Sequence, residues 1–205
     1  MNINGKFVTE IHEFEELEKL IKNVFLTERE LPQQVFQEGF GHYMFEEFDW
    51  AMTGEFWDSI KTLAKKTNDE FILAAVLEPN PIDYFFYEFG YYNWAKLPVS
   101  LSENEYSNIL ELGPEENSAD AMLYNSDTVV WLSPSMKWAV WGERHYGICV
   151  LAFKDDNDLA LSSLLKSWQP LNDVVISWVA NNFLEQKISG EISNKFHGNY
   201  SDDSK

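Results

Sequence analysis

Carboxylates are the side chains in this sequence that could do chemistry, and they come in close pairs. Glu46-Glu47-x-Asp49 and Glu115-Glu116 have spacings at which one acid could raise the pKa of its neighbour, as general acid–base or metal chemistry requires. With 34 Asp and Glu in the chain, chance pairs are common, and a solvated acidic face accounts for both clusters. Asp155-Asp156-Asn157-Asp158 has the look of a calcium loop. Counting from Asp155, however, the sixth position is Ala160 and the twelfth is Lys166, where an EF-hand needs Gly and Glu. The reading is a strand-to-helix turn with a cap.

Other chemistries lack their residues. His12, His42, His145 and His197 show no metal-ligand spacing, and a single cysteine, Cys149, builds neither a thiolate metal site nor a disulfide. Cys149 lies within Ile148-Cys149-Val150-Leu151, the setting of a buried, inert thiol. His145 is four residues away, an offset that fixes no nucleophile–base geometry. Neither Gly-x-Ser-x-Gly, Gly-x-x-x-x-Gly-Lys nor Gly-x-Gly-x-x-Gly occurs; Gly39-Phe-Gly41 has no third glycine. No catalytic residue, metal site or cofactor is assigned, and the chain is not expected to be an enzyme.

The elements around these residues read as α+β. Apolar spacing predicts a helix over Glu10–Leu26, with Phe14, Leu17, Leu20, Ile21, Val24 and Phe25 on one face. Leu31–Asp49 reads as a loop with short helical pieces. Gly54–Lys66 is a helix capped by Thr53. Phe71–Leu77 suits a buried strand. Pro81 and Gly90 can open and close a short helix, and Tyr91–Val99 is extended. Ser102-x-x-Glu105 has capping-box spacing, and Gly113-Pro114 stops the helix that follows. Ala121–Leu132, Met136–Trp141 and Tyr146–Phe153 form a three-stranded antiparallel meander, its third strand central. Asp158 caps a helix to Trp168, and Pro170-Leu-Asn172 opens a last one to about Gln186. The expectation is one domain over 1–188, an antiparallel sheet with helices packed on it, and a frayed polar tail over 189–205. No apolar h-region or membrane-length run occurs, so the expected location is the cytoplasm.

Charge is the strongest functional signal. Fifteen bases against 34 acids give a formal charge of −19, which argues against nucleic acid and against anionic membranes. Disorder does not explain it, because 45% of residues are hydrophobic and 16% aromatic. Glu10–Asp58 holds thirteen acids and three bases; Leu97–Met136 holds seven acids and no base. Such a surface stores repulsion that a basic protein would relieve, and complementary fields accelerate encounter. The expected partner-binding residues are Glu46, Glu47, Asp49, Trp50, Glu55, Asp58, Glu103, Glu105, Glu111, Glu115 and Glu116, with aromatic rings as anchors. The run Tyr84-Phe85-Phe86-Tyr87-x-Phe89-x-Tyr91-Tyr92-x-Trp94 offers an alternative, a carbohydrate or small-ligand site built on stacking, with core packing as the competing role.

Trp131-Leu-Ser-Pro-Ser135-Met-Lys-Trp138-Ala-Val-Trp141-Gly-Glu-Arg144, preceded by Leu97-Pro98 and Ala119-Asp-Ala121, resembles bacterial proteins with a Ser-x-x-Trp-x-Val-Trp-Gly-Glu-Arg signature. Some of these are similar in size and acidity to immunity proteins of polymorphic toxin systems. The resemblance spans residues 97–153, implies an inhibitor of a basic toxin such as a nuclease, and supplies no catalytic residues. As a hairpin, the segment puts Trp138 and Val140 on one face and Lys137, Ala139 and Trp141 on the other, with Gly142 freeing the turn and Glu143 and Arg144 locking it by hydrogen bonds.

Overall fold

The computed structural model describes residues 5–114, 117–154 and 165–201. Six strands form one antiparallel sheet: β1 (His42–Glu47), β2 (Phe71–Glu78), β3 (Trp94–Pro98), β4 (Thr128–Leu132), β5 (Trp138–Glu143) and β6 (Ile148–Phe153). Their order is β1-β6-β5-β4-β2-β3. The meander β4-β5-β6 forms as expected, with Val130 opposite Trp141 and Trp141 opposite Val150, and β6 is interior, between β1 and β5. The α+β expectation is met.

Antiparallel sheets often leave one face in water. This one is covered on both, which is why β5 and β6 are buried at every residue and read as nearly continuous apolar runs. On the first face, Trp131, Trp138, Val140, Cys149 and Leu151 pack under α3 (Gly54–Lys66) and α5 (Glu103–Leu110). Between these two helices in sequence lie a π-helical turn, Pro81–Phe86, and the one-turn α4 (Tyr87–Phe89). On the second face, Val130, Ala139, Trp141 and Val150 pack under α1 (Ile11–Lys22), the 24–40 connection, α6 (Asp173–Asn181) and α7 (Gly190–Tyr200). Each sheet edge carries one further backbone pairing: Val8 N donates to the Trp94 carbonyl on β3 (2.8 Å), and Gln169 exchanges both backbone bonds with Phe45 on β1 (2.7 and 2.9 Å).

Three expectations are corrected. The 31–49 stretch contains a strand, β1, followed by the four-residue α2 (Phe48–Ala51); its glycines end just before the strand and so do not break it. The segment after residue 189 is not a frayed tail, because α7 buries Phe196 and Tyr200 fully against the second face. Gly142 is not a turn residue but lies inside β5, where a Cβ would come within 3.0 Å of both Cys149 Sγ and a Trp131 ring carbon. The left-handed turn residue is Gly147, with φ +67°. The loop Asp155–Asp158 and most of the expected 158–168 helix lie outside the described residues.

Candidate functional site

The acidic residues converge where α2, α3 and α5 meet. Thr53 caps α3 by accepting from Phe56 N, and Ser102 caps α5 by accepting from Glu105 N while the Glu105 carboxylate accepts from Ser102 N at 2.8 Å. The two helices pack through Trp57 and Tyr106, stacked with centroids 5.2 Å apart and planes inclined by 12°. Tyr106 OH donates to the Ala51 carbonyl (2.9 Å) and Trp57 Nε1 to the Leu101 carbonyl (2.9 Å). This fit brings the two N-termini together: a Cβ on Gly54 would lie 2.7 Å from Glu103 Cβ. Glycine at 54 therefore lets the start of α5 approach that of α3, with Glu55, Asp58 and Glu103 all exposed around the junction. Both helix dipoles favour negative charge there, which offsets part of the mutual repulsion. Trp50 lies half-buried at the border, donating to Glu55 Oε2 (3.4 Å) and packing edge-on to Phe56 and Trp168. Lys61 already pairs with Asp58 at 3.0 Å.

At the other end of α2, roughly 6 Å along its axis, Glu47 and Asp49 line a recess of about 380 Å³ with Phe48, Arg144, Trp178 and Asn182. Arg144 is held there by the Ser126 and Leu123 carbonyls (2.8 and 2.9 Å) and by the face of Phe48, 4.7 Å from the ring centroid. Glu46 stands apart from its neighbours. It is 6% exposed on the same sheet face as Cys149, accepts from Glu47 N (3.0 Å), and burial raises its pKa. It is withdrawn from any protein surface contact. Glu105 is exposed but its carboxylate is committed to Ser102, which holds its pKa below the ordinary range. Glu111 caps the far end of α5, about 12 Å from Glu103 by helix rise. Glu115 and Glu116 lie outside the described residues. The site is therefore Glu47, Asp49, Trp50, Glu55, Asp58 and Glu103.

The signature residues serve the fold. Ser135 gives its N–H and hydroxyl to the buried Asp69 carboxylate (2.8 and 2.7 Å). Trp141 Nε1 and Leu31 N both donate to Glu143 Oε2 (3.2 and 2.9 Å). The Glu143 side chain thus joins Trp141 to the distant Leu31, and the Arg144 guanidinium binds the 123–126 segment, while the Arg144 carbonyl closes the turn by accepting from Gly147 N (3.0 Å). The aromatic run is also mostly core: Phe85, Tyr91, Tyr92 and Trp94 are buried, with Tyr92 stacked between Phe14 and Phe86 at 4.0 and 4.6 Å, while Tyr84 and Tyr87 reach the surface.

Sequence reasoning missed three buried acids. Asp69, Asp120 and Glu143 each pair a local donor with a distant one that the sequence does not show: Asp69 accepts from Thr67 and Ser135, Asp120 from Asn117, Asn125 and Tyr84 OH (2.7 Å), and Glu143 from Trp141 and Leu31. Cys149 is fully buried, and desolvation with the nearby Glu46 and Asp49 charges raises its thiol pKa well above the ordinary value. His145 packs on Tyr146 and Phe183 at the second face, whereas Cys149 belongs to the first. Among the described residues no group of three or more His, Cys, Asp or Glu could hold a metal ion, and no helix is long and apolar enough to cross a membrane. Fold and site together define an α+β protein with an acidic, tryptophan-bordered face. The sequence matches no protein-family model, no curated protein and no solved structure.

Proposed function

We propose that this protein is an inhibitor of the immunity-protein kind, which binds a basic protein toxin, such as a nuclease, through the face formed by α2 and the N-termini of α3 and α5. The observation that carries the reading is the close approach of the α3 and α5 N-termini at Gly54, which gathers the exposed Glu55, Asp58 and Glu103 beside Trp50. Like charges placed together cost stability, and a cationic surface relieves that cost on binding. Trp50 supplies an anchor that can be desolvated further, and the carboxylates around it steer the encounter and set its salt dependence. The aromatic run does not sustain a carbohydrate site of comparable weight, because most of its rings fill the core.

The test is affinity capture from the source cells at low ionic strength. The immobilised chain is expected to retain a basic protein, to release it as salt rises, and to rescue cells in which that protein is toxic. The triple exchange Glu55→Lys, Asp58→Lys, Glu103→Lys is expected to lose capture and rescue while keeping the native circular dichroism. Retention of no basic protein, or equal retention by the triple variant, overturns the reading.

A further inference from the structure

Helix α6 is apolar nearly all round, a pattern that belongs to buried helices. Val175 and Val179 fit it by packing into the second face of the sheet. Val174, Ile176 and Trp178 are not buried with them. Val174 is 47% exposed, and in the turn beyond the helix Leu184 is 94% exposed. Among the described residues these are two of the three large aliphatic side chains left in water, the third being Ile11. Single exposed apolar residues are ordinary on a protein surface. Here they fall together on one element and the turn that leaves it.

Residues four apart share a helix face, so Val174 stands one turn from Trp178 on the same side of α6. Trp178, half-buried, lines the recess beside Glu47, Asp49, Asn181 and Asn182. Val174 and Trp178 thus form an apolar ridge that runs into the recess at the acidic end of α2. Leu184 follows Asn182 by two residues, within about 7 Å of it along the chain. Glu185 and Gln186 then both adopt a left-handed φ, +60° and +53°, a conformation that L side chains take only at a cost in energy. That turn does not bury Leu184.

Charge identifies what covers this ridge. The charged residues lining the recess are Glu47, Asp49 and Arg144. Asp173 is exposed at the start of α6, next to Val174. The Arg144 guanidinium is committed to the Ser126 and Leu123 carbonyls and to the Phe48 ring. Three acids therefore border the ridge against one base that is already engaged. A second copy docking here about a two-fold axis would set those acids against their own kind. A basic partner meets them with opposite charge.

We propose that this surface takes an amphipathic basic helix of the partner protein, its apolar side chains on Val174, Trp178 and Leu184 and its cations on Glu47, Asp49 and Asp173. Helices pack by setting such i, i+4 ridges into each other's grooves. The inference deepens the reading of the acidic face as an inhibitor's binding surface and rests on it for the identity of the partner.

The probe is a fluorescein-labelled synthetic peptide with Leu on one helical face and Lys on the other, and its comparison is oligolysine of the same charge. Anisotropy titrations use the folded full chain at physiological salt. The Leu/Lys peptide is expected to saturate one site and to bind more tightly than oligolysine. Val174→Ser is expected to weaken it about fivefold, the size of covering a half-exposed valine, and to leave oligolysine unchanged. Leu184→Ser weakens it in the same sense, and Asp49→Asn weakens both peptides. Val174 and Leu184 are exposed, so both Ser variants are expected to keep the parent's circular dichroism. The triple Lys variant of the acidic face should still prefer the Leu/Lys peptide. Equal affinity for the two peptides, unchanged Leu/Lys binding in both Ser variants, or a dimer of the chain that Val174→Ser dissociates overturns this inference whatever affinity capture returns. Failed capture with the peptide preference and its Val174 dependence intact supports the docking surface and overturns the toxin reading alone.

Discussion

The Glu143 carboxyl lies at the end of β5, 5% exposed, between the Leu31 amide and the Trp141 indole, and burial pushes its pKa up to about 7 with Glu30 adding repulsion. A carboxyl raised in this way favours its protonated form in the folded state. Below the ordinary value near 4.5 both states hold the proton and the contribution is fully present; as pH rises toward 7 the unfolded chain ionises first and stability falls, levelling off above the folded pKa. The loss across that window is up to about 3 kcal/mol. Glu143→Gln keeps an acceptor for both donors and removes the titration. Denaturant unfolding across the neutral range is expected to show the parent losing stability relative to the variant; parallel pH profiles would contradict the assignment. Tyr200 supports a second residue-scale expectation. Its hydroxyl accepts from Val35 N (3.2 Å) and donates to the Gln33 carbonyl, so Tyr200→Phe leaves the buried Val35 amide without that partner and should cost about 1–3 kcal/mol, read from the same unfolding curves.

Legibility from sequence divides at the element scale by whether the signal is local. The Thr53 cap of α3, the Ser102–Glu105 capping box of α5 and the left-handed Gly90 (φ +75°) ending α4 were readable because each rests on residues within four positions of each other. Ser102→Ala should accordingly cost about 1 kcal/mol, measured as a shift in thermal midpoint with the fold unchanged. Strand β1 and helix α7 were not readable for the opposite reason. His42–Glu47 gains its ladder from β6, more than 100 residues later, and α7 has only Ile192, Phe196 and Tyr200 as large apolar residues, the burial of Tyr200 depending on residues 33–35. The candidate site follows the same rule: acid density marked the stretches, but only packing withdraws Glu46 and brings the start of α5 against Gly54 of α3. Ending the chain at residue 189 should therefore abolish cooperative unfolding rather than trim a loose end, since each large aromatic removed from a core costs about 3–5 kcal/mol. A truncated chain with the parent's midpoint would show that α7 contributes nothing.

On the scale of the whole molecule, the charge is held in tension by an apolar scaffold. A sheet covered on both faces, with Trp57, Trp94, Trp131, Trp138 and Trp141 fully buried, gives enough apolar burial to carry a net charge of −19. The signature segment belongs to this scaffold, because Ser135, Glu143 and Arg144 bond to Asp69, Leu31 and Ser126, and Trp141 braces the Glu143 carboxyl within the strand. Self-repulsion is screened by salt over about 8 Å at physiological ionic strength, so moderate NaCl should raise the thermal midpoint of the parent. The triple Lys variant of the acidic face replaces three of the crowded carboxylates, each exchange changing the charge by two. Because the exchanges also place cations at the N-termini of α3 and α5 and remove the partner of Lys61, the informative quantity is the salt response: the variant should gain less from added NaCl than the parent, since the repulsion being screened is smaller. If these carboxylates stored no repulsion, both proteins would respond to salt alike. Thermal midpoints of both proteins at low and high salt thus test whether the acidic face stores repulsion that a cationic partner would relieve.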